Sequence, residues 1–473
     1  MAKKKTTNTK KQTKAQAKAK SSVARKNQAR QTTAQTVAAE KKVGKDNKVS
    51  RLRGMKDITF NDYKYWDLIL KKANDLASAF SFQNIEVPAL ERQELYEKSL
   101  GADSPFFLNE VYTFTDKNRD KAALRPSATP GLARSYLEYG LYNLRQPVKV
   151  SWMGPVFRQE KTQSGKYRQF HQFNLEIYGE ENPIADFLLI MIAYRFFSEL
   201  QIGTQVQINS WGCEECREEY LEKLKKYYRN KRTKLCAECK KKVSKAPLDL
   251  LKCDKECCQE LKEEAPPIVD FLCEKCQTNF TKILENLDEM EIPYNLNPCL
   301  IRDLDYYNYG PVFEFWDLDE NDEPQAGFNL GGGGRFDKLV ESLGGKPTPA
   351  CGFALGLERT LLKMKKNNIP IDGQEENVVF LAQLGEQARR KMLTLFEEFR
   401  KSGFAVKQAF TRDSLKEQLE EAEEAGAKIT LILGQKEVND NTILLRDMES
   451  GNQEVVDYKK IRSEIEKRLK NNG

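Results

Sequence analysis

The sequence predicts a large α+β domain, built on an antiparallel sheet with flanking helices, followed by a smaller α/β domain. Two observations predict the large domain: consecutive strand-like segments surround a hairpin pattern, and helical patterns flank them. The smaller domain is predicted by strand and helix patterns that alternate over residues 376–473, with glycines between the predicted elements. We therefore expect the large domain to occupy residues 51–208 and 291–372, interrupted by an insertion at 209–290.

The first 50 residues differ from the rest of the chain in charge. They hold 15 Lys/Arg and two Asp/Glu, whereas the remaining residues hold 62 basic and 68 acidic side chains. Segment 1–50 has few large apolar residues, so we expect a disordered tail. A lysine-rich arm of this kind adds salt-dependent affinity for nucleic acid, although a simple solubilising tail explains the composition equally well.

Composition also indicates where the protein works. No stretch approaches the roughly 20 apolar residues of a membrane span, and the start lacks the apolar core of a signal peptide. We expect a cytoplasmic protein with reduced cysteines and no membrane partner. Because His171 is the only histidine, catalysis should depend on arginines, carboxylates, tyrosines and bound metal ions instead.

The elements before the insertion can be predicted in order. Helical spacing runs from about Asp62 to Ala79, "QNIEVPALE" is predicted as a short strand entering Pro88, and a strand turns at Pro126 into a helix near Thr129. "VFRQE" and "FNLEIYG" then alternate as two strands of a hairpin, joined by "KTQSGK". Charges on its inner face would have to meet a charged ligand.

Three predicted features follow the insertion. "PCLIRDLDYYNYGPVFEFWDLD" alternates like a strand pair, and "AGFNLGGGGRFDKLVESLGG" reads as strand, glycine turn and helix. The glycines 331–334 allow close approach of a ligand to the backbone, but they match neither the Walker nor the dinucleotide pattern. "CGFALGLERTLLKM" places Arg359 on a helix that follows a small-residue strand. The C-terminal domain shows no nucleophile–base pair, which favours a binding role.

The insertion contains nine of the 11 cysteines. Close cysteine pairs could supply two tetrahedral all-thiolate zinc sites, because a two-residue spacer lets both sulfurs face one ion. A helical insertion without metal remains the alternative, and an iron–sulfur cluster fits less well because nothing else indicates redox chemistry. The spacing does not show which pairs share an ion. The candidate zinc ligands are Cys213, Cys216, Cys236, Cys239, Cys253, Cys257, Cys273 and Cys276.

Several ordered segments resemble one family. "GPVFRQE", "RQFHQFNLEIYG", "LIRDLDYYN", "LGGGGRFDKLVESLGG" and "GFALGLER" are similar to the characteristic segments of bacterial-type histidyl-tRNA synthetases, which are class II aminoacyl-tRNA synthetases. The resemblance extends from about Arg53 into the C-terminal domain, which is similar to the family's anticodon-binding domain. It implies activation of L-histidine by ATP to histidyl-adenylate, release of pyrophosphate, and transfer to the 3′ end of tRNA(His).

The resemblance also implies roles for individual residues. Arg158 and Arg302 would be catalytic, contacting the α-phosphate and the amino-acid side, while Mg²⁺ bridges phosphate oxygens of the ATP co-substrate. Arginine suits this task because it stays protonated and grips phosphate oxygens in a planar fork. By the same resemblance, ATP would be bound by Arg158, Glu160, Gly333 and Arg359. Histidine would be bound by Ser127, Thr129, Gln172, Glu176, Tyr306 and Tyr307, and the tRNA acceptor end by Lys161, Gln163 and Lys166.

Two positions depart from the family's pattern. Ser127 stands where bacterial relatives usually carry a glutamate that binds the substrate ammonium, and Asp303 stands where glycine is usual. A hydroxyl cannot supply the lost countercharge, so we expect an active enzyme with a raised Michaelis constant for histidine.

Two alternatives remain at this stage. One is the regulatory paralogue of ATP phosphoribosyltransferase, which lacks the second active-site arginine and the C-terminal domain, so Arg302 and that domain argue against it. The other is a degenerate synthetase paralogue that acts as an RNA-binding or regulatory protein. The family is homodimeric through a segment around Pro88, so a homodimer is the expectation.

Overall fold

The computed structural model describes residues 49–160, 165–302, 304, 306–307, 309–319, 321, 323–371 and 378–471. The predicted basic tail, the loop residues Lys161 and Gln163, and Asp303 lie outside the described residues. Two compact units are present, divided between Ile369 and Pro370. No helix among the described residues is long and apolar enough to span a lipid bilayer.

The first unit is organised around a mixed sheet. Among the described residues, eight strands lie in the order β1-β5-β6-β11-β10-β9-β7-β8, antiparallel except for the parallel edge pairs β1–β5 and β7–β8. A smaller sheet has the order β2-β4-β3. The strands are β1 Gln83–Asn84, β2 Leu90–Arg92, β3 Thr113–Thr115, β4 Lys121–Leu124, β5 Val148–Phe157, β6 Gln169–Tyr178, β7 Thr204–Ser210, β8 Tyr294–Leu296, β9 Tyr309–Leu318, β10 Pro324–Arg335 and β11 Ala350–Gly356.

Helices cover the large sheet and form the insertion. The α-helices are α1 Phe60–Ala79, α2 Gln93–Leu100, α3 Pro105–Glu110, α4 Thr129–Glu138, α5 Ile184–Glu199, α6 Glu214–Asn230, α7 Ala237–Lys242, α8 Glu256–Glu263, α9 Glu274–Glu289, α10 Leu339–Ser342 and α11 Leu357–Lys366. Short 3₁₀ helices are Leu141–Asn143, Arg232–Lys234, Pro247–Lys252 and Ile268–Phe271.

The main core lies between the large sheet and helices α1, α5, α9 and α11. Helix α5 is apolar on most of its surface, so it must be buried on several sides. Phe196 and Phe197 are fully buried within it, and their rings meet Phe173 on β6 and Phe315 on β9. This packing fixes the helical layer against two strands that carry site residues on their other face. The predicted antiparallel sheet with flanking helices is therefore confirmed.

The four-glycine segment lies in a strand rather than a turn. Gly331 to Gly334 pair with β9 on one side and β11 on the other. A Cβ on Gly333 would lie 2.0 Å from the carbonyl oxygen of Gly352, and one on Gly332 would lie 2.2 Å from that of Phe313. The sequence prediction of a glycine turn is thus wrong, because close packing between two neighbouring strands also requires glycine.

Two other strand predictions differ from the structure. Only Gln83–Asn84 is strand in the segment before Pro88, because the chain leaves the sheet edge after pairing with Val150 and Ser151. In the predicted strand pair after the insertion, only Tyr309–Leu318 is a strand. The residues described between 297 and 307 form an irregular segment that carries Arg302, Tyr306 and Tyr307.

The insertion has a small apolar core of its own. Tyr220, Leu224 and Tyr228 repeat at helical spacing on the buried face of α6 and pack with Leu250 and Leu261. Helix α9 differs, because Phe280, Ile283 and Leu287 belong to the main core of the first unit. The C-terminal helix of the cysteine-rich segment is therefore part of the packing of the large sheet.

The second unit is an α/β domain, as predicted. Its sheet order is β13-β12-β14-β15-β16, with parallel pairing of β12 to β13 and β14 and antiparallel pairing beyond β14. Its elements are β12 Val379–Gln383, α12 Glu386–Lys401, β13 Val406–Gln408, α13 Leu415–Glu424, β14 Ile429–Leu433, α14 Gln435–Asp440, β15 Thr442–Asp447, β16 Gln453–Asp457, the 3₁₀ helix Tyr458–Lys460 and α15 Ile461–Asn471.

Candidate active site

The β5–β6 hairpin supplies one wall of a cleft in the first unit. Gly154 pairs with Gln172, and Val150 pairs with Glu176. Because side chains alternate along a strand, Gln172 and Glu176 share the face that looks into the cleft region. Among the residues that the structure describes, none is a hydrogen-bond partner of the buried Gln172 side-chain oxygen. A buried, unpaired acceptor of this kind is suited to a polar ligand.

Three arginines from separate elements line this cleft. Arg158 follows β5, Arg302 lies on the irregular segment before β9, and Arg359 is on α11. Carboxylates that line the same space include Glu160 and Glu314. The remaining lining residues are Gly165, Lys166, Tyr167, Phe170, Gln172, Leu304, Asn329, Leu330, Gly331, Ala354, Gly356 and Glu358.

Arg158 is fixed between two aromatic rings. Its guanidinium lies 5.3 Å from the ring centre of Phe106 and 5.2 Å from that of Phe170. The Nε donates to the carbonyl oxygen of Pro126 at 2.8 Å, and a guanidinium nitrogen lies 3.6 Å from a carboxylate oxygen of Glu160. The two ring contacts and the bonded Nε restrict the side chain of Arg158, which lines the cleft.

Arg302 is held against the glycine strand. Its guanidinium donates to Glu314 at 3.0 Å and to the carbonyl oxygen of Gly332 at 3.4 Å. It also lies 5.3 Å from the ring centre of Tyr307. A Cβ on Gly332 would come within 2.7 Å of this guanidinium, so the glycine makes room for the arginine.

Arg359 is held by hydrogen bonds to two separate segments. It donates to the carbonyl oxygen of Gly165 at 3.1 Å and to the side-chain oxygen of Asn329 at 2.7 Å. Burial lowers the pKa of Arg359, and the positive charge of Arg158 adds to this effect, whereas Glu160 and Glu314 oppose it. Mutual repulsion of guanidinium groups is relieved when an anion binds between them.

The side chains predicted to bind histidine meet in a closed polar cluster. Thr129 donates to Glu176 at 2.7 Å, and the Tyr178 hydroxyl donates to the other carboxylate oxygen at 2.5 Å. The hydroxyls of Ser127 and Tyr306 lie 2.9 Å apart. Tyr306 and Tyr307 have ring centres 4.7 Å apart, and all of these groups are buried.

Burial controls the protonation of this cluster. It raises the pKa of Glu176 to about 7, although the hydrogen bonds from Tyr178 and Thr129 act in the opposite direction. Burial also raises the pKa of Tyr306 to about 12 and that of Tyr307 above its usual value. The tyrosines therefore stay protonated at neutral pH, while Glu176 is poised to change its charge when a ligand binds.

His171 faces away from this cleft, as alternation along β6 predicts. Glu358 accepts from the backbone N–H of His171 at 2.8 Å and lies 2.8 Å from its Nδ1. The ring also makes an edge contact with Trp66 at 5.1 Å between centres. His171 thus ties β6 to α11 and α1, which supports a structural role.

Other predicted residues are placed as follows. Gly331 lines the cleft, whereas Gly333 lies two residues further along β10, is buried and does not line it. Lys166 is exposed at the cleft rim, and its predicted companions Lys161 and Gln163 lie outside the described residues. Glu160 lies in the cleft beside Arg158.

Four polar residues near the cleft escaped the sequence prediction. Glu314 orients Arg302, Asn329 holds Arg359, and Tyr178 donates to Glu176. Glu358 anchors the hairpin through His171. Glu314 had a detectable signal, since it alternates with the buried Phe313 and Phe315 on one strand. Tyr178 had one too, since it lies two residues from Glu176 on the same face of β6. Asn329 and Glu358 depend on contacts between distant segments, which local patterns do not reveal.

The cysteines of the insertion form two groups that could hold a metal ion. Within each group, the four sulfur atoms lie within 4.8 Å of one another. One predicted ligand is wrong. Cys257 was predicted, but this residue is exposed, and Cys258 on the same helix belongs to the second group instead. Neighbouring positions on a helix point about 100° apart, so only one of them can face the group. The groups are Cys213, Cys216, Cys273 and Cys276, and Cys236, Cys239, Cys253 and Cys258.

Comparison with known families agrees with this geometry. The histidyl-tRNA synthetase family model matches residues 54–360, and an anticodon binding domain model matches residues 378–468. The chain belongs to the histidyl-tRNA synthetase family. The insertion lies within the part of the chain that matches the first of these models.

Individual relatives of the histidyl-tRNA synthetase family cover most of the chain. A histidine–tRNA ligase of Natranaerobius thermophilus is 37% identical over 417 residues, covering 87% of this chain and 97% of the relative. One of Aquifex aeolicus is 38% identical over 406 residues, covering 86% and 98%. The structure of apo histidyl-tRNA synthetase of S. aureus is similar with a TM-score of 0.73 at 29% identity, covering 88% of this chain and 100% of that one.

Proposed function

We propose that the chain is a histidine–tRNA ligase that activates L-histidine with ATP and Mg²⁺ and transfers it to the 3′ end of tRNA(His). The observation that carries this proposal is the arginine-lined cleft next to a buried cluster centred on Glu176. The first can bind a polyphosphate and the second a small polar side chain. The two are joined by Arg302, which contacts Tyr307 of the cluster and Glu314 of the cleft.

The arginines perform the electrostatic part of activation. A carboxylate oxygen of histidine attacks the α-phosphorus of ATP, a new oxygen–phosphorus bond forms, and the bond to pyrophosphate breaks. Because two anions meet, negative charge accumulates in the transition state and requires fixed positive groups. Arg158 and Arg302 supply this charge at the reacting centre, and Arg359 binds the departing end of the polyphosphate. Mg²⁺ arrives with ATP and neutralises phosphate charge.

The buried cluster recognises the imidazole ring. Neutral imidazole has one hydrogen-bond donor and one acceptor, so an acceptor carboxylate and a donor phenol complement it. Glu176 accepts from one ring nitrogen, and Tyr307 donates to the other. Thr129, Gln172 and Tyr306 complete the pocket. A buried polar site rejects apolar side chains of similar size, because binding one would leave its groups without partners.

Three parts of the chain would bind tRNA(His). Lys166 at the cleft rim, with Lys161 and Gln163 of the same loop, would contact the acceptor end. The second unit would bind the anticodon, as expected for a domain of that family. The lysine-rich residues 1–50 would add salt-dependent attraction to the phosphate backbone.

We also propose a cytoplasmic homodimer with structural zinc in the insertion. A groove of about 1560 Å³ in the first unit includes Pro88, Tyr139 and Tyr142. Tyr139 is 74% exposed and Leu144, close by in the chain, is 55% exposed. Exposed apolar residues beside such a groove support contact with a second copy of the chain.

A degenerate paralogue that binds RNA without catalysis is the alternative function. Ser127 favours it, because this buried hydroxyl gives the substrate ammonium group no countercharge. The retention of three arginines around one cleft favours the ligase, since a pure RNA-binding protein does not need them there.

Pyrophosphate exchange separates the two functions. Purified full-length protein should incorporate labelled pyrophosphate into ATP with histidine and not with the other amino acids, at a raised Michaelis constant. An Arg302→Ala variant should lose exchange and keep tRNA binding. Absence of histidine-dependent exchange at saturating histidine would support the RNA-binding alternative.

A further inference from the structure

The two cysteine groups are too compact to be explained by apolar packing alone. Each group brings together four thiols from segments that are distant in the sequence, with all sulfurs within 4.8 Å. The described cysteines are all free thiols without disulfide partners. If the cysteines were buried only as small apolar residues, packing would not require four sulfur atoms to converge on one point. Here the sulfurs converge in both groups.

The sulfur separations fit one ion in each group. Zinc–sulfur bonds of about 2.3 Å in a tetrahedron place the sulfurs about 3.8 Å apart. Cys213 and Cys216 have their sulfurs 3.4 Å apart, and those of Cys236 and Cys253 are 4.0 Å apart. An iron–sulfur cluster holds several metal atoms between its thiolates and needs a wider cage. Four cysteine thiolates around one tetrahedral ion are a ligand set of structural zinc sites.

Backbone N–H groups point at the same sulfurs. The N–H of Cys273 donates to the sulfur of Cys216 at 3.1 Å. In the second group, the N–H of Cys236 donates to the sulfur of Cys258, and that of Cys239 donates to the sulfur of Cys236, both at 3.4 Å. Such hydrogen bonds stabilise negative sulfur and orient metal ligands. The sulfurs of both groups are therefore hydrogen-bond acceptors as well as close neighbours.

We infer that the insertion binds two zinc ions with different structural tasks: one fastens the base of the insertion to the catalytic sheet, and the other holds the insertion's own core. The first ion would be bound by Cys213, Cys216, Cys273 and Cys276. The second ion would be bound by Cys236, Cys239, Cys253 and Cys258.

The first site lies where the insertion leaves and rejoins the catalytic sheet. Cys213 is the third residue after β7, and Cys273 directly precedes α9, which packs in the main core. The turn between β7 and Cys213 is tight: Gly212 has a φ of +58°, and a Cβ there would lie 2.7 Å from the Cβ of Cys216. One ion would therefore join both ends of the insertion at its base.

This base is hydrogen-bonded to the segment that carries the histidine-binding tyrosines. The N–H of Gly310 donates to the carbonyl of Gly212 at 2.9 Å, and the N–H of Trp211 donates to the carbonyl of Gly310 at 2.7 Å. Gly310 lies at the start of β9, three residues after Tyr307. The first ion thus supports the chain around Tyr307. The consequence for histidine binding rests on the proposed ligase function, whereas metal content does not.

The second site lies among elements too short to be stable alone. Helix α7 has six residues, α8 has eight, and the 3₁₀ helix Pro247–Lys252 lies between them. Helices of this length are marginal in water without tertiary support. The buried Cys239 and Cys258 sit beside Leu235, Val243 and Leu250 in the insertion's core. Removing this ion should loosen the insertion and leave the first site in place.

Metal analysis of the full-length chain, purified without chelator, tests the ligand sets. Wild type should contain two zinc ions per chain, and Cys216→Ser and Cys239→Ser should each contain one. Cys257→Ser is the matched control, because this thiol is exposed and lies next to a proposed ligand, so it should keep both ions. If a variant fails to fold, titration of the wild-type protein with a mercurial reagent, which displaces zinc from thiolates, should release two zinc ions per chain. Zinc near zero, bound iron, or loss of zinc in Cys257→Ser would overturn the inference.

Hydrogen–deuterium exchange tests the division of tasks. Peptides spanning residues 306–312 should exchange faster in Cys216→Ser than in wild type. In Cys239→Ser, the exchange rate of the same peptides should equal that of wild type. The division of tasks would be overturned if exchange of these peptides were equally faster in both variants, or if it were faster in neither variant. Because neither readout requires catalysis, failure here is distinct from failure of the ligase function, which wild-type pyrophosphate exchange reports.

Discussion

Replacing Glu176 by glutamine should make the protein more stable and less active at the same time. Glu176 is fully buried, and burial raises its pKa to about 7. Its carboxylate nevertheless occupies the pocket that we propose for the imidazole ring. A residue kept for ligand binding at the expense of stability should show this combination.

The size of the stability effect follows from the pKa. A rise from about 4.3 to about 7 corresponds, at 1.36 kcal/mol per pKa unit, to roughly 3 to 4 kcal/mol. Because the folded-state pKa is above the unfolded one, the folded protein binds more protons between these values. The contribution of Glu176 to the free energy of unfolding of wild type should therefore fall as pH rises from about 4.3 to about 7 and be constant above. Glutamine does not titrate, so this part of the pH dependence should disappear in the variant.

Tryptophan fluorescence gives a selective assay, because all four tryptophans lie in the first unit. At pH 8.5, Glu176→Gln should be more stable than wild type by roughly 1 to 3 kcal/mol, since the amide satisfies Thr129 and Tyr178 less fully than a carboxylate does. At pH 5 the gain should vanish. Asp186, whose pKa burial raises to about 6, titrates in both proteins and cancels in the difference.

The same variant should lose histidine activation. A hydrogen bond to a charged group contributes about 1.5 to 3 kcal/mol, so kcat/KM for histidine should fall roughly 10- to 100-fold. In Tyr178→Phe, loss of the hydrogen bond that lowers the pKa of Glu176 should move the pH dependence of stability to higher pH. The reasoning is refuted if Glu176→Gln gains nothing at pH 8.5 relative to pH 5, or if it activates histidine like wild type.

Three further substitutions test other parts of the site. Arg302→Ala should reduce pyrophosphate exchange by about 10²- to 10³-fold. Arg412 is an exposed arginine of the second unit, so Arg412→Ala should leave tRNA-independent exchange unchanged. Equal losses in the two variants would contradict the role of Arg302. Ser127→Ala should raise the Michaelis constant for histidine by roughly 2- to 10-fold through loss of the contact with Tyr306, and an unchanged constant would count against that contact. Gly332→Ala should lower the unfolding midpoint and abolish exchange, because its Cβ would overlap the Phe313 carbonyl. In Gly203→Ala the nearest atom lies 3.4 Å from the new Cβ, so stability and exchange should be close to those of wild type. A soluble, active Gly332→Ala protein would contradict the strand packing.

Local patterns were sufficient for much of the fold. Alternation in the hairpin predicted β6 and the opposite orientation of His171 and Gln172, which the structure confirms. The first hairpin strand was predicted over residues 156–160, but β5 ends at Phe157, so Arg158 and Glu160 lie beyond the strand. Helical spacing and proline placement predicted α1 and the start of α4 at Thr129. These features are set within a few residues, so the sequence around them contains the necessary information.

Features that depend on distant neighbours were predicted less well. Four glycines are compatible with a turn or with a crowded strand, and only the close approach of β9 and β11 decides between them. Likewise, Cys257 and Cys258 are equivalent by spacing, and the orientation of α8 selects Cys258. The role of Asn329 follows from the position of Arg359, which lies 30 residues away in the chain, and no local pattern specifies that contact.

Aminoacylation of tRNA(His) by the purified full-length chain tests the central proposal most directly. With ATP, Mg²⁺ and labelled histidine, we predict charging of tRNA(His) that requires Arg302 and is not supported by other amino acids. A chain lacking residues 1–50 should retain charging, with weaker and less salt-dependent tRNA binding. A full-length protein that binds tRNA(His) but does not charge it at saturating histidine and ATP would contradict the proposal.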